Sequence, residues 1–338
     1  MTGPPGPAAR GPAAGGPAAG GPVSWEVAVP AGAELGERPV WDAAAGCLIW
    51  VDILAGHVHR YRPGAGDEVH HAAGVPVGAA GLRAGGGYVL AAADGFRLAG
   101  ADGTPEGWPD GADGDAEGGP GPGPDGGARR PPGMAGDVRF NDGACDPAGR
   151  FWAGTVARDR RAGGGALYRL DPDGQITVVL DGVTESNGLG WSPDGGTFYF
   201  IDSGEPRPRI RAFPCGLAAG TLGTPRDLVQ PPPEHGIPDG LIVDAAGCLW
   251  VAFWGGRAVR RYSPAGELLA ELPVPVSQPS CPALGGPDLA DLYVTTAWED
   301  MTQAQRAAEP LAGHLLHTRA EDAGLDGVRG QPAGQFAG

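Results

Sequence analysis

The stretch Val243-Asp244-Ala-Ala-Gly247-Cys-Leu-Trp250-Val251 sets a turn-forming Asp and Gly just before a short β-prone run that contains a Trp. The same order recurs in Cys145-Asp146-Pro-Ala-Gly149-Arg-Phe-Trp152 and in Trp191-Ser-Pro-Asp194-Gly-Gly-Thr-Phe-Tyr199-Phe200. Looser copies run from Trp41-Asp42 through Cys47-Leu-Ile-Trp50 to Asp52, and from Gly285 through Asp288 and Asp291 to Tyr293 and Val294. A degenerate copy is Gly81-Leu-Arg-Ala-Gly85-Gly-Gly-Tyr88-Val89. Anchored on Trp50, Tyr88, Trp152, Tyr199, Trp250 and Tyr293, the spacings are 38, 64, 47, 51 and 43 residues. The longest contains a Gly/Pro-rich stretch, and without it the period is that of a four-stranded propeller blade. Six copies predict an all-β, six-bladed β-propeller, since a blade covers both its faces only when its neighbours stack on it. Ser24–Val29 is a candidate strand to complete the last blade. A β-sandwich has many short strands too, but no reason to repeat one unit six times.

Composition bounds the rest. Of the 338 residues, 63 are Gly and 36 are Pro, but 13 of these fall within residues 1–22 and 19 within 101–136. These two stretches read as a disordered N-terminal extension and a flexible insertion at about 101–136, with the single propeller spanning 23–338. The chain has 24 Arg, no Lys and a net charge of −16. That field repels phosphate backbones and anionic membrane surfaces, so no nucleic-acid or membrane partner is expected. The missing lysine excludes Schiff-base chemistry and a P-loop. With no continuous apolar run of the ~18 residues that a span needs and no signal-like h-region, a soluble cytoplasmic protein is expected. The five cysteines are odd in number and widely spaced, which indicates neither a disulfide framework nor a zinc ribbon. Cys47 and Cys248 read as buried thiols. His57, His59, His70 and His71 have no carboxylate at matching spacing and read as exposed, and His235 as a solvated loop residue.

Four repeats carry an oxygen-bearing side chain five residues before the turn: Glu37, Asn141, Asn187 and Asp239. Equivalent positions in successive blades form a ring around the central channel, so four polar side chains converge at one mouth. Asn-Gly and Asp-Gly pairs often mark turns and nothing more. Glu37, however, precedes Arg38-Pro39, where no turn needs a carboxylate. Two carboxylates and two amides in a narrow cavity are costly without a cation. The all-oxygen set suits Ca²⁺, Mg²⁺ or Mn²⁺ better than structural zinc, and so few protein ligands leave positions for water and substrate.

These segments resemble the SMP-30 (senescence marker protein)/gluconolactonase/regucalcin family. The likeness is carried by Gly36-Glu-Arg-Pro-Val-Trp41, Arg139-Phe-Asn-Asp-Gly143, Asp146-Pro-Ala-Gly-Arg-Phe-Trp-Ala-Gly-Thr155 and Asn187-Gly-Leu-Gly-Trp191. It continues through Ile237-Pro-Asp-Gly240, Leu292-Tyr-Val-Thr-Thr296 and Gly327-Val-Arg-Gly330. The resemblance implies a six-bladed propeller with one divalent cation in its channel, Ca²⁺ first, with Zn²⁺, Mg²⁺ and Mn²⁺ as alternatives. It implies Glu37, Asn187 and Asp239 as metal ligands, Asp239 also as general base, and Arg139 and Asn141 as substrate contacts. The family's substrate-contacting glutamate has no clear counterpart in Val156-Ala-Arg-Asp159-Arg-Arg161. The implied activity is hydrolysis of a sugar-acid lactone such as gluconolactone; the sequence leaves the oligomeric state open, a monomer among the readings. The rival readings are an organophosphate or arylester hydrolase of the same architecture and a calcium-binding propeller without catalysis.

Overall fold

A computed structural model describes residues 18–19, 23–108 and 127–338. Apart from Ala18–Ala19, the expected extension 1–22 lies outside the described residues, as does 109–126 of the expected insertion. Six sheets, antiparallel but for the short strands Ala18–Ala19 and Gln335–Phe336 that add in parallel, follow one another along the chain. Their first strands are Gly36–Asp42, Val77–Arg83, Val138–Cys145, Ser186–Trp191, Ile237–Val243 and Pro279–Gly285. Each packs against the first strand of the next sheet, and the sixth packs against the first, so they line a central channel. This is the six-bladed propeller that the repeat predicts.

The second strand of every blade carries the repeat's aromatic anchor, from Trp50 in Cys47–Asp52 to Tyr293 in Asp291–Thr296. All six anchors are at most 4% exposed. The turn Asp has a second task. In the third blade Asp146 accepts the Ala148 and Arg150 backbone N–H groups and, at 2.9 Å, the indole N–H of Trp152 six residues on. In the fifth blade Asp244 does the same for Ala246, Cys248 and, at 3.1 Å, Trp250. One carboxylate thus closes the turn and satisfies a buried indole, which lets Trp152 and Trp250 be wholly buried without an orphaned donor.

The ring closes where the sequence places its closing strand: Glu26–Val29 pairs antiparallel with Leu315–Arg319 as the outer strand of the sixth blade. The C-terminal segment straps the underside. Gln331 donates to the Val243 carbonyl at 3.1 Å, and Gln335–Phe336 pairs with the end of Val77–Arg83, burying Phe336 completely. Both described ends of the insertion are fastened to the second blade. Pro105–Glu106 pairs with Gly95–Ala99, and Arg129 bridges to Phe96 with its guanidinium over Trp108. The five cysteines are free thiols, with Cys47 and Cys248 buried. The histidine reading needs correction. His59 is 8% exposed, lies 2.7 Å from Asp67 and stacks on Trp50, while His71 is buried with Nδ1 2.7 Å from the Gly103 carbonyl. Their partners come from neighbouring strands and loops, at separations no linear motif displays.

One irregularity positions the site. Every first strand breaks register near its start, at Glu37/Val40, Val77/Ala79, Phe140/Asp142, Ser186/Leu189, Pro238/Leu241 and Pro279/Cys281. A β-bulge re-aims the side chains beside it, and here six bulges ring one mouth of the channel.

Candidate metal centre

Glu37, Arg139, Asn141, Asn187 and Asp239 all line one pocket at that mouth. Each is less than a tenth exposed. At Glu37 the bulge forces Arg38 to φ +41°, a left-handed conformation that is disfavoured for a side chain and more so before Pro39. In return the Glu37 carboxylate faces the channel and accepts the Arg38 backbone N–H at 2.8 Å. The amides are locked to one another. Asn141 donates to Asn187 Oδ1 at 2.8 Å and to the Ser186 carbonyl, and Asn187 donates to Ser203 Oγ at 2.9 Å. Arg139 donates to Asn141 Oδ1 at 2.5 Å. The network leaves the Asn141 and Asn187 oxygens as acceptors.

Glycines let the blades approach closely enough for this. A Cβ on Gly188 would lie 2.5 Å from the Asp239 carbonyl oxygen, and one on Gly78 would lie 2.5 Å from the Phe140 carbonyl carbon. The second and sixth blades give the ring no carboxylate or amide: Gly78 has no side chain, and Ser280 donates its hydroxyl to the Gly36 carbonyl.

Electrostatics set this pocket apart from a polar patch. Burial, then the neighbouring Asp142, raises the Glu37 carboxyl to about 8. Burial, then Glu37, holds Asp239 well above the usual carboxylate range. Arg38 and Arg139 offset only part of the cost of burying Glu37, and Asp239 stays raised beside it; two such acids next to two amide oxygens fit a hard divalent cation. Among the described residues no three His, Cys, Asp or Glu side chains gather as a metal-holding group, and the oxygen set here mixes two carboxylates with two amides.

The pocket has a floor and a rim that the sequence reading missed. Below Glu37 the Arg38 guanidinium crosses the channel, donating to the Leu241 carbonyl at 3.3 Å and the Leu189 carbonyl at 3.4 Å and pairing with Asp142 at 3.5 Å. Residues of four blades meet in this plug. Around the rim stand Glu185, Arg160, Glu299 and Trp254. Glu185 is the acid of the linker between the third and fourth blades, and Arg160 and Glu299 belong to loops of unequal length. No common offset marks them. His235 does not line the pocket.

A bulged propeller with an acid and amide pocket at one end of its channel defines the structural class. The model of the SMP-30/gluconolactonase/LRE-like region matches residues 35–298, and the chain belongs to that family. It is 37% identical over 287 residues to 6-deoxy-6-sulfogluconolactonase of Pseudomonas putida, covering 84% of this chain and 91% of the relative. It is 37% identical over 279 residues to a pentonolactonase of Haloferax volcanii, covering 80% and 84%. Among solved structures, the calcium-binding protein regucalcin of Agrobacterium tumefaciens superposes with a TM-score of 0.79 at 27% identity, covering 93% of this chain and 98% of that one.

Proposed function

We propose that this protein is a hydrolase that opens a sugar-acid lactone by water attack, using one divalent cation held by Glu37, Asn187 and Asp239. The observation that carries the reading is the pair of buried carboxylates, both held above their usual range, facing amide oxygens in a pocket whose floor is closed. Kinship with two named lactonases supports the reaction class. A bound cation supplies Lewis acidity at the lactone carbonyl and offsets the negative charge that develops on its oxygen. Asp239 takes a proton from the attacking water as the C–O bond forms, and that proton passes to the ring oxygen as the acyl C–O bond breaks. Arg139 uses one terminal nitrogen on Asn141 Oδ1 and the Phe140 carbonyl. Its other N–H groups serve the ring hydroxyls, and the Asn141 to Asn187 bond holds both amides in place for the cation and the sugar. Glucono-, galactono-, arabinono- and xylonolactones assayed with Ca²⁺, Mg²⁺, Mn²⁺ or Zn²⁺ test this reading. At least one lactone is opened in a cation-dependent way, and a rate indifferent to chelation refutes the metal-assisted route.

A further inference from the structure

An ion pair spans the mouth of the pocket. Arg160 belongs to the third blade's loop between Phe151–Ala157 and Gly165–Leu170, and Glu299 follows the sixth blade's strand Asp291–Thr296. In a ring of six these blades are opposite each other, yet Arg160 Nη2 lies 3.3 Å from Glu299 Oε2. The two halves are built differently. Glu299 is held by its backbone: its N–H donates to the Glu34 carbonyl at 3.0 Å, and its own carbonyl accepts from Gln278 Nε2 at 3.0 Å. The preceding Trp298 donates its indole N–H to the Gly32 carbonyl and lies under the Arg306 guanidinium. Arg160 has φ +52° at a loop tip, and its neighbour Arg161 is drawn away toward Asp137 and Asp159. The Arg160 side chain is 53% exposed against 16% for Glu299. A fixed carboxylate thus faces a movable guanidinium.

The floor settles which part of a substrate meets this pair. Arg38 and Asp142 block the channel below Glu37, so a lactone whose carbonyl lies among the inner oxygens must extend its other end toward the rim. There it meets Arg160, Glu299 and Glu185. A hydroxyl both donates and accepts, and so fits a carboxylate and a guanidinium alike. The Arg160 guanidinium at the rim is already neutralised by Glu299, and the buried Arg139 faces Glu185 and Glu299 and is tied to Asn141, so an anionic tail finds no unpaired cation there and meets two carboxylates.

We propose that Arg160 and Glu299 determine specificity by closing over the substrate's far end and selecting uncharged, polyhydroxylated tails over anionic ones. This rests on the lactone-hydrolase reading above, and the test separates the two. The cation-loaded protein is assayed with gluconolactone and with 6-deoxy-6-sulfogluconolactone. The parent favours the neutral lactone in kcat/KM by about tenfold, a charge effect between that of a fully exposed pair and that of a pair in lower dielectric, as suits a 16% exposed Glu299. Glu299→Gln narrows that preference about tenfold, chiefly by improving use of the sulfonate. Arg160→Ala raises KM for the neutral lactone about tenfold with kcat within about twofold, the pattern of lost uniform binding. If both variants change only the melting temperature, leaving preference and KM as in the parent, the pair is structural and the proposal is overturned. If the parent opens neither lactone, the hydrolase reading fails. Calorimetric binding of gluconate against 6-deoxy-6-sulfogluconate, which share the carboxylate head and differ in the charge of the tail, then decides: a preference for the uncharged tail that Glu299→Gln weakens supports tail selection, and equal binding overturns it.

Discussion

Asp239→Asn separates the two tasks assigned to one carboxylate. The change is nearly isosteric, keeps an oxygen facing the pocket and removes both the base and one of two buried acids. Loss of a positioned base costs on the order of 10³ in rate. The stability effect has the opposite sign. Asp239 is raised first by burial and next by Glu37, so ionising it in the cation-free protein costs about 1.4 kcal/mol for each pK unit of displacement. An amide bears no such cost, so the cation-free variant at pH 8 should melt above the cation-free parent. The cation should also raise the Tm of the variant less than that of the parent, because one charged ligand is gone. The assay pairs lactone turnover at saturating cation with calorimetric melting in chelator. A variant that turns over within about tenfold of the parent, or melts below the parent in chelator, refutes the reasoning.

Two further outcomes follow from the same pocket. Because the folded-state carboxyl of Glu37 is raised from 4.5 to about 8, the stability it contributes is fully present below about 4.5 and is lost as pH rises through 8. Asp239 acts in the same direction. Cation-free protein should therefore melt several degrees lower at pH 8.5 than at pH 5.5, whereas saturating cation removes the trend; a flat cation-free profile contradicts it. Gly188→Ala drives a methyl to 2.5 Å from the Asp239 carbonyl oxygen and from Leu241 Cβ, both in the neighbouring blade. It should weaken cation binding at least about tenfold and cost about 1–3 kcal/mol in stability, and calorimetric titration matching the parent would show that the blades can part at no cost.

The blades were legible because their repeat has a local cause. Asp146 and Asp244 close a turn and accept an indole six residues later, so the physical unit is contained in one short stretch of chain. Glu37, Asn141, Asn187 and Asp239 were legible for a related reason: each stands at the same offset from such a turn, near the start of a strand that lines the channel. The ring is incomplete where close blade contact takes precedence, at Gly78, and where a hydroxyl bonds backbone instead, at Ser280. Arg38 was read only as the neighbour of Glu37. Its role as the channel's plug depends on Asp142 and on carbonyls of the fourth and fifth blades, which come together only when the ring closes. Arg160 and Glu299 are 139 residues apart in loops of unrelated length, and no periodicity could have paired them. His59 was misread because Asp67 reaches it across a hairpin, eight residues on.

Anomalous diffraction from crystals loaded with Ca²⁺, compared with crystals kept in chelator, tests the account most directly. It predicts one ordered ion at this mouth of the channel, about 2.3–2.6 Å from oxygens of Glu37, Asn187 and Asp239. An ion seated elsewhere, or a loaded crystal whose pocket holds no ordered metal while lactone turnover persists, would contradict it.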